Sequence, residues 1–134
     1  MSERDISSLR SALKFINEQD ELLIIKNEVD PIYEISGISK VLDGSLGILF
    51  ENIKGFPEAR CVCNLLGTRE RMAIIFDIPS HKETKFQALR AIRNPIPPKI
   101  VDSGPCQENV ITENIDVLKT IPIIKHTEED AGRI

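Results

Sequence analysis

The sequence predicts an α/β (α+β) domain: a small mixed β-sheet packed with about four helices. Three observations predict it. In several stretches apolar residues recur at three- and four-residue steps, the spacing of a helix with one buried face. Between them lie apolar runs of strand length, "ELLIIK", "GILF" and "RCVCNL". The length, 134 residues, suits one domain that buries a core without disulfide staples. Alternation at short intervals favours a sheet with helices laid on it, and no internal boundary or repeat stands out.

The elements follow in order. In "DISSLRSALKFINEQDE", Ile6, Leu9, Leu13 and Ile16 form one stripe, and Asp5 or Ser7 can cap the first amides. Residues 21–26 are a strand. In "VDPIYEISGISKVLDGS", Asp30 is placed as N-cap and Pro31 at the first helical position, where its missing N–H costs nothing. Ile32, Ile35, Ile38 and Leu42 would be that helix's buried face. Residues 48–51 form a second strand before a turn at Lys54-Gly55, and "RCVCNL" a third. Gly67-Thr68 opens the helix "RERMAIIFD". "SHKETKFQALRAIRN" reads as a helix with a Ser80–Glu83 capping box and a Phe86, Leu89, Ile92 stripe. Pro95, Pro97 and Pro98 end it. An extended stretch, 99–113, a linker holding Leu118 and the apolar "TIPIIKH" complete the chain. Leu9, Leu13, Ile35, Ile38, Phe86 and Leu89 are the expected core.

Composition excludes several classes. A net charge of -4 and 4% aromatic residues argue against nucleic acid, which needs surplus cations or stacking rings. The basic residues Lys82, Lys85, Arg90, Arg93 and Lys99 read as a solvated helix face. No run of about 18 apolar residues would span a membrane, and "MSERDISS" shows no secretory signal. Three cysteines are too few and too odd for a disulfide framework,. The expectation is a cytoplasmic protein with reduced thiols.

Few residues offer chemistry. Cys61 and Cys63, two apart on a strand, face the same side. With Cys106, His81 or His126 they could approach a metal set, but C-x-C alone is no zinc signature, and small core residues are the plainer reading. Cys106 with His126 could make a nucleophile–base pair, though nothing in the spacing joins them. Glu128, Glu129 and Asp130 read as a solvated acidic run. Phosphate-loop and nucleophile-elbow patterns are absent. The start of the "RERM" helix is more informative. Thr68, Arg69 and Arg71 sit where a helix dipole favours acids, not arginines. Either acids elsewhere in the fold or an anionic ligand must recruit those arginines.

The ordered series "SLRSALKFINEQDELLIIKNEVDPIYEISGI", "GILFENIKG", "NLLGTRERMA", "PCQENVI" and "IPIIKHTEEDAGR" resembles the N-terminal part of the UbiD-like (3-octaprenyl-4-hydroxybenzoate carboxy-lyase type) decarboxylases. Nearly the whole chain is covered. Departures from the family pattern are Asp20 for Gly, Leu66 for Phe, Ser103-Gly104 before Pro105-Cys106 where Ala is common, and Glu128-Glu129 for Pro-Gly. The resemblance implies a single N-terminal domain, 1–134, cut at Asp130-Ala131-Gly132-Arg133 where the flavin-binding split β-barrel begins. It implies a parent that uses prenylated FMN, Mn²⁺ and K⁺ in reversible (de)carboxylation of aromatic or α,β-unsaturated acids. It carries no catalytic, cofactor or metal residue onto these 134 positions, so the fragment alone is expected to be inactive.

Two further readings stand beside this one. The chain could be a free-standing assembly or binding subunit that docks on a separate catalytic UbiD-like chain, or a small enzyme using Cys106 and His126. On the leading reading its partner is the remainder of its own chain, within a homo-oligomeric parent, with no nucleic acid and no membrane span. "TIPIIKH" would lack its natural partner in the barrel and pair with a neighbouring copy or stay poorly ordered.

Overall fold

The structure, a computed structural model, describes residues 4–130. The Ala-Gly-Arg of the closing motif lies outside the described residues. Three strands form one sheet in the order β1 (Leu22–Ile25), β2 (Gly47–Phe50), β3 (Cys61–Cys63). β1 and β2 run parallel, Leu22 beside Gly47, while β3 returns antiparallel with Cys63 beside Ile48. A parallel pair needs a crossover, and α2 (Glu34–Val41) lies within it. The other helices are α1 (Leu9–Asn17), α3 (Arg69–Phe76), α4 (Thr84–Arg93) and the single turn α5 (Val117–Thr120). The expected mixed sheet packed with about four helices is present, with five α-helices among the described residues when the single turn α5 is included.

β2 is the buried spine, covered at all four positions. Side chains alternate along a strand, so its residues feed two cores. Ile48 and Phe50 meet Val29, Ile53 and Ile35 of α2 on one face. Leu49 meets Leu22, Ile16 of α1 and Ile75 of α3 on the other. Helices thus close both faces of the sheet, and a strand buried on both sides reads as a continuous apolar run.

Several expectations need correction. Ser8, not Asp5 or Ser7, caps α1: its Oγ accepts from Ser11 N and Ser11 Oγ accepts from Ser8 N, each at 3.1 Å. Asp5 instead accepts from Ser7 N. α2 starts a turn later than Asp30-Pro31 suggests. Asp30 Oδ1 accepts from Ile32 N at 2.8 Å, Glu34 Oε2 accepts from Asp30 N at 2.7 Å, and Tyr33 turns at φ 70. Ile32 is drawn out of the helix because it bridges Lys125 in parallel. The same bridge gives "TIPIIKH" an internal partner: Lys125 N donates to Pro31 O, and Ile124 packs on the α2-side core. The reciprocal Ser80–Glu83 box does not form, and Glu83 N donates to Ser80 O instead. Ser80 Oγ accepts from Lys82 N, and the first turn, His81–Glu83, is 3₁₀.

The largest difference concerns the core. Leu9 is exposed, and α4 buries no residue: its stripe faces outward, with Phe86 58% and Ile92 75% exposed. α4 packs on α3 and on the 3₁₀ turn His81–Glu83, and past it Ile96 and Ile100 are more than 90% exposed. Leu13 and Ile38 are partly buried and only Ile35 is fully so. Asp20 stands at φ 58, a left-handed conformation that glycine adopts without penalty and Asp tolerates, which accounts for the Gly that the resemblance led us to expect there.

Removing the Phe50 ring should cost about 3–5 kcal/mol, the range for a buried aromatic, whereas Phe86→Ala should stay within about 0.5 kcal/mol. Urea midpoints of the two variants check this. A pH prediction rests on Asp30, whose carboxylate accepts from Lys54 Nζ at 2.8 Å. That bond, with the Ile32 amide, holds its pKa below the ordinary 3.8. A carboxyl held low stabilises the fold above its unfolded pKa and loses that contribution as pH falls through the folded value. Asp30→Asn should therefore flatten the stability curve below about pH 4 and leave its shape near neutrality unchanged.

Candidate functional site

The segment from Asn64 to Arg71 joins β3 to α3, and each polar residue in it has a defined task. Asn64 sits at φ 56, where Asn is tolerated,, and its Nδ2 donates to Ser39 O of α2 at 2.7 Å. Its carbonyl accepts from Gly67 N at 3.0 Å. A Cβ at Gly67 would meet that carbonyl oxygen at 3.0 Å, a tight approach that glycine avoids. Thr68 caps α3, its Oγ1 accepting from Arg71 N at 3.1 Å.

Arg71 is fully buried. Its Nε donates to Glu21 Oε2 at 3.1 Å and Nη1 to Asn64 O at 2.7 Å, while Nη2 donates to Ser45 O. Those acceptors lie just before β1, just after β3 and just before β2. One guanidinium thus clamps the same end of all three strands. The acid that recruits Arg71 is Glu21, 50 residues upstream, which no local pattern could reveal. The visible signal was the arginine itself, in a helical turn whose dipole disfavours it.

The three sequence candidates therefore separate. Thr68 is a cap and Arg71 a clamp. Arg69 is exposed and lines a hollow with Met72, His81, Lys82, Thr84 and Lys85. Glu70 faces His81 Nδ1 across its rim at 3.4 Å.

A second group forms between β3 and α2. Cys61 and Cys63 do share a face, their sulfurs 3.8 Å apart. Cys63 opens onto a hollow shared with Ser39, Asn64, Ile124 and His126. The Cys61 thiol, helped by the Ser39 hydroxyl and the charge of His126, pulls the Cys63 pKa down to about 6 against the opposing effect of burial. Cys61 is pushed up in turn, by the hydrogen bond to Cys63 and by burial. His126 holds Asp130 Oδ2 with both its backbone N, at 2.9 Å, and its ring Nδ1, at 3.2 Å. Glu128 and Glu129 are exposed, as expected for a solvated run. Cys106 lies exposed in the 3₁₀ turn Pro105–Gln107, on another segment from His126. Sequence reasoning missed Ser39, which reaches the thiols only through the fold.

Residues 13–91 match the family model described as the 3-octaprenyl-4-hydroxybenzoate carboxy-lyase N-terminal domain. A phenolic acid decarboxylase of Sedimentibacter hydroxybenzoicus is 29% identical over 135 residues, covering 92% of this chain and 28% of that protein. Anhydromevalonate phosphate decarboxylase of Methanosarcina mazei is 31% identical, over 87% of this chain and 26% of its own length. Among solved structures, the UbiD-class enzyme HmfF from Pelotomaculum thermopropionicum in complex with FMN superposes with a TM-score of 0.80 at 36% identity. That match covers 89% of this chain and 27% of the enzyme. An evolved dimeric form of the same enzyme in complex with prFMN gives 0.81 at 37%, over 90% of this chain and 28% of the enzyme. The chain spans less than a third of the length of each of these relatives.

The clamp predicts a graded mutational response. Arg71→Ala leaves Glu21 and two carbonyls unpaired and should cost about 3–5 kcal/mol, as for one half of a buried pair. Arg71→Lys should recover part of that, since an ammonium lacks the planar fork that reaches three acceptors. Arg69→Ala, at an exposed position, should stay within about 0.5 kcal/mol. Chemical denaturation of the three variants orders them.

Proposed function

Because the chain belongs to the family of 3-octaprenyl-4-hydroxybenzoate carboxy-lyase N-terminal domains, we propose that it is the N-terminal domain of a UbiD-like enzyme. The parent carries out reversible, prenylated-FMN-dependent (de)carboxylation of aromatic or α,β-unsaturated carboxylic acids. Coverage is the observation that carries this reading: almost all of the chain aligns with under a third of each decarboxylase. On this reading the domain ends where the flavin-binding barrel begins, and the 134 residues alone are inactive.

Prenylated FMN, Mn²⁺ and K⁺ then belong to the parent's barrel. The residues described here do not fit them. Among the described residues no group of three or more His, Cys, Asp or Glu side chains is placed to hold a metal. The hollows are surface depressions, two of them with basic side chains, Arg69, Lys82 and Lys85 in one and Arg10, Lys14 and Arg60 in the other. In the parent the cofactor would supply the electron sink for breaking the carbon–carbon bond, and no step is assigned to this chain's residues.

The domain's own contribution is placement. The outward stripe of α4 and the apolar residues after it, Ile96, Ile100 and Val101 among them, form a surface that a larger body must cover. We assign that body to the rest of the parent, including its homo-oligomeric contacts. Arg69, exposed beside this surface, is the one of the three candidates open to a substrate-side anion, with Thr68 and Arg71 holding the helix that carries it. No helix among the described residues is long and apolar enough to cross a membrane. Three unbridged cysteines suit the reducing cytoplasm, where we place the protein.

The purified chain, incubated with prenylated FMN and Mn²⁺ and then desalted, should retain no visible flavin absorbance. The chain extended by the coding sequence beyond codon 134 should retain it. Stoichiometric flavin on the 134 residues alone would overturn the assignment. In the extended enzyme, Arg69→Ala should lower turnover with flavin content unchanged, and unaltered turnover would remove Arg69 from the substrate side.

A further inference from the structure

We propose that Cys61 and Cys63 form a site of reversible oxidation, closing into a disulfide when a hydroperoxide reaches Cys63. The sheet assembles the pair. Two residues apart on β3, the thiols project from the same face, and their sulfurs stand 3.8 Å apart. β3 is held to the buried β2 with Cys61 opposite Phe50 and Cys63 opposite Ile48. The thiols therefore face each other without any other segment having to move. Both are partly buried against the α2-side core, and both are unbridged.

The two sulfurs are not equivalent. Cys63 lines the hollow shared with Ser39, Asn64 and His126, and Cys61 does not. Cys63 is thus the thiol that a small solute meets first. Its ionised form is favoured by the hydrogen bond from Cys61, then by the Ser39 hydroxyl and the charge of His126. Cys61 is held protonated by the same bond and by burial. The thiolate is the nucleophile in sulfur chemistry. A solvent-accessible thiol that ionises readily, set beside a second thiol, is the arrangement that oxidises selectively. Cys63 is accordingly the attacking sulfur and Cys61 the resolving one.

The Cys63 thiolate attacks one oxygen of the hydroperoxide. The O–O bond breaks, the sulfur becomes a sulfenic acid, and the departing oxygen takes up a proton and leaves as water or an alcohol. Cys61, 3.8 Å away, then attacks the Cys63 sulfur. The S–S bond forms, the S–O bond breaks, and the hydroxide leaves as water with the Cys61 proton. The two sulfurs supply the two electrons that reduce the peroxide. Alternate residues of an extended strand lie about 6.4–6.8 Å apart, at the upper end of the roughly 4.4–6.8 Å Cα separation that a disulfide spans. The bond therefore closes under tension, which β3 takes up because it pairs within the sheet on one side only. A strained disulfide is readily reduced, so thiol reductants return the pair to its resting form.

Hydrogen peroxide in slight excess over the Cys106→Ser chain tests the site. Both remaining thiols should be lost to alkylation. The peptide that carries Cys61 and Cys63 should weigh two hydrogen atoms less until a thiol reductant restores it. That chain keeps both members of the pair, so the result does not depend on whether a core substitution folds. In the same background, Cys61→Ser should leave Cys63 as a sulfenic acid that dimedone traps. Cys63→Ser should lose its thiol several-fold more slowly than Cys61→Ser does. Two alkylatable thiols after treatment, a disulfide between two chains, or Cys63 oxidised to sulfinic acid beside a free Cys61 would each overturn the proposal. Equal rates in the two serine variants would overturn the assignment of Cys63 as the attacking sulfur.

Discussion

The fold depends on a charge placed where charge is costly. Arg71 is fully buried, and burying a guanidinium is tolerated only when its donors are matched. Here one carboxylate and two backbone carbonyls match them, and the three acceptors come from the ends of three strands. The constraint runs in both directions. The sheet must bring Glu21, Ser45 and Asn64 together for the arginine to be buried, and the arginine makes any other register of those ends leave carbonyls unpaired. Hydrophobic burial around β2 supplies most of the stability, but it is non-directional. The clamp adds direction, fixing which strand ends meet and where α3 sits above them.

This explains why the stretch from Asn64 to Arg71 was the most distinctive in the sequence. A left-handed Asn, a glycine against its carbonyl, a capping threonine and a buried arginine form one latch, each needing the next. Read as a string, the arginines pointed equally to an acid elsewhere or to a ligand. The string carries no information on the 50-residue separation that pairs Arg71 with Glu21. Local signals were reliable where local energetics decide. The strands, the α3 cap and the existence of α1, α2 and α4 follow from spacing and capping chemistry. Boundaries failed where a distant partner intervened, as when Lys125 draws Ile32 out of α2.

The core was legible in part for the same reason. An apolar stripe says that a helix has something to bury, not that its burial partner lies in the same stretch of chain. Ile16 and Ile35 found theirs in β2; Phe86 and Leu89 did not. The family relation gives that outward stripe a meaning, since the relatives are more than three times as long as the matched region. The thiol pair was visible as two same-face residues, and the sequence favoured the plain reading of small core side chains. Their proximity to Ser39 and His126 needed α2 and the segment after Pro122 to be in place.

Among the described residues, all the buried apolar side chains lie between Ala12 and Ile78. During synthesis, therefore, these buried residues have left the ribosome once Ile78 has, while Ile124, which packs against the α2-side core, is still to be made. N-terminal units of larger proteins fold first as the chain emerges, and here the buried residues of the sheet and of α1 to α3 are made before α4 and the stretch that follows. The bond from Ser36 to Lys125 spans 89 positions and forms late, tying the emerging chain back to α2. Because closure entropy grows only slowly with loop length, that long excursion costs little more than a short one. The nascent chain can thus acquire a settled body first and return its later segment to it, holding the apolar stretch between them as a looped-out arm.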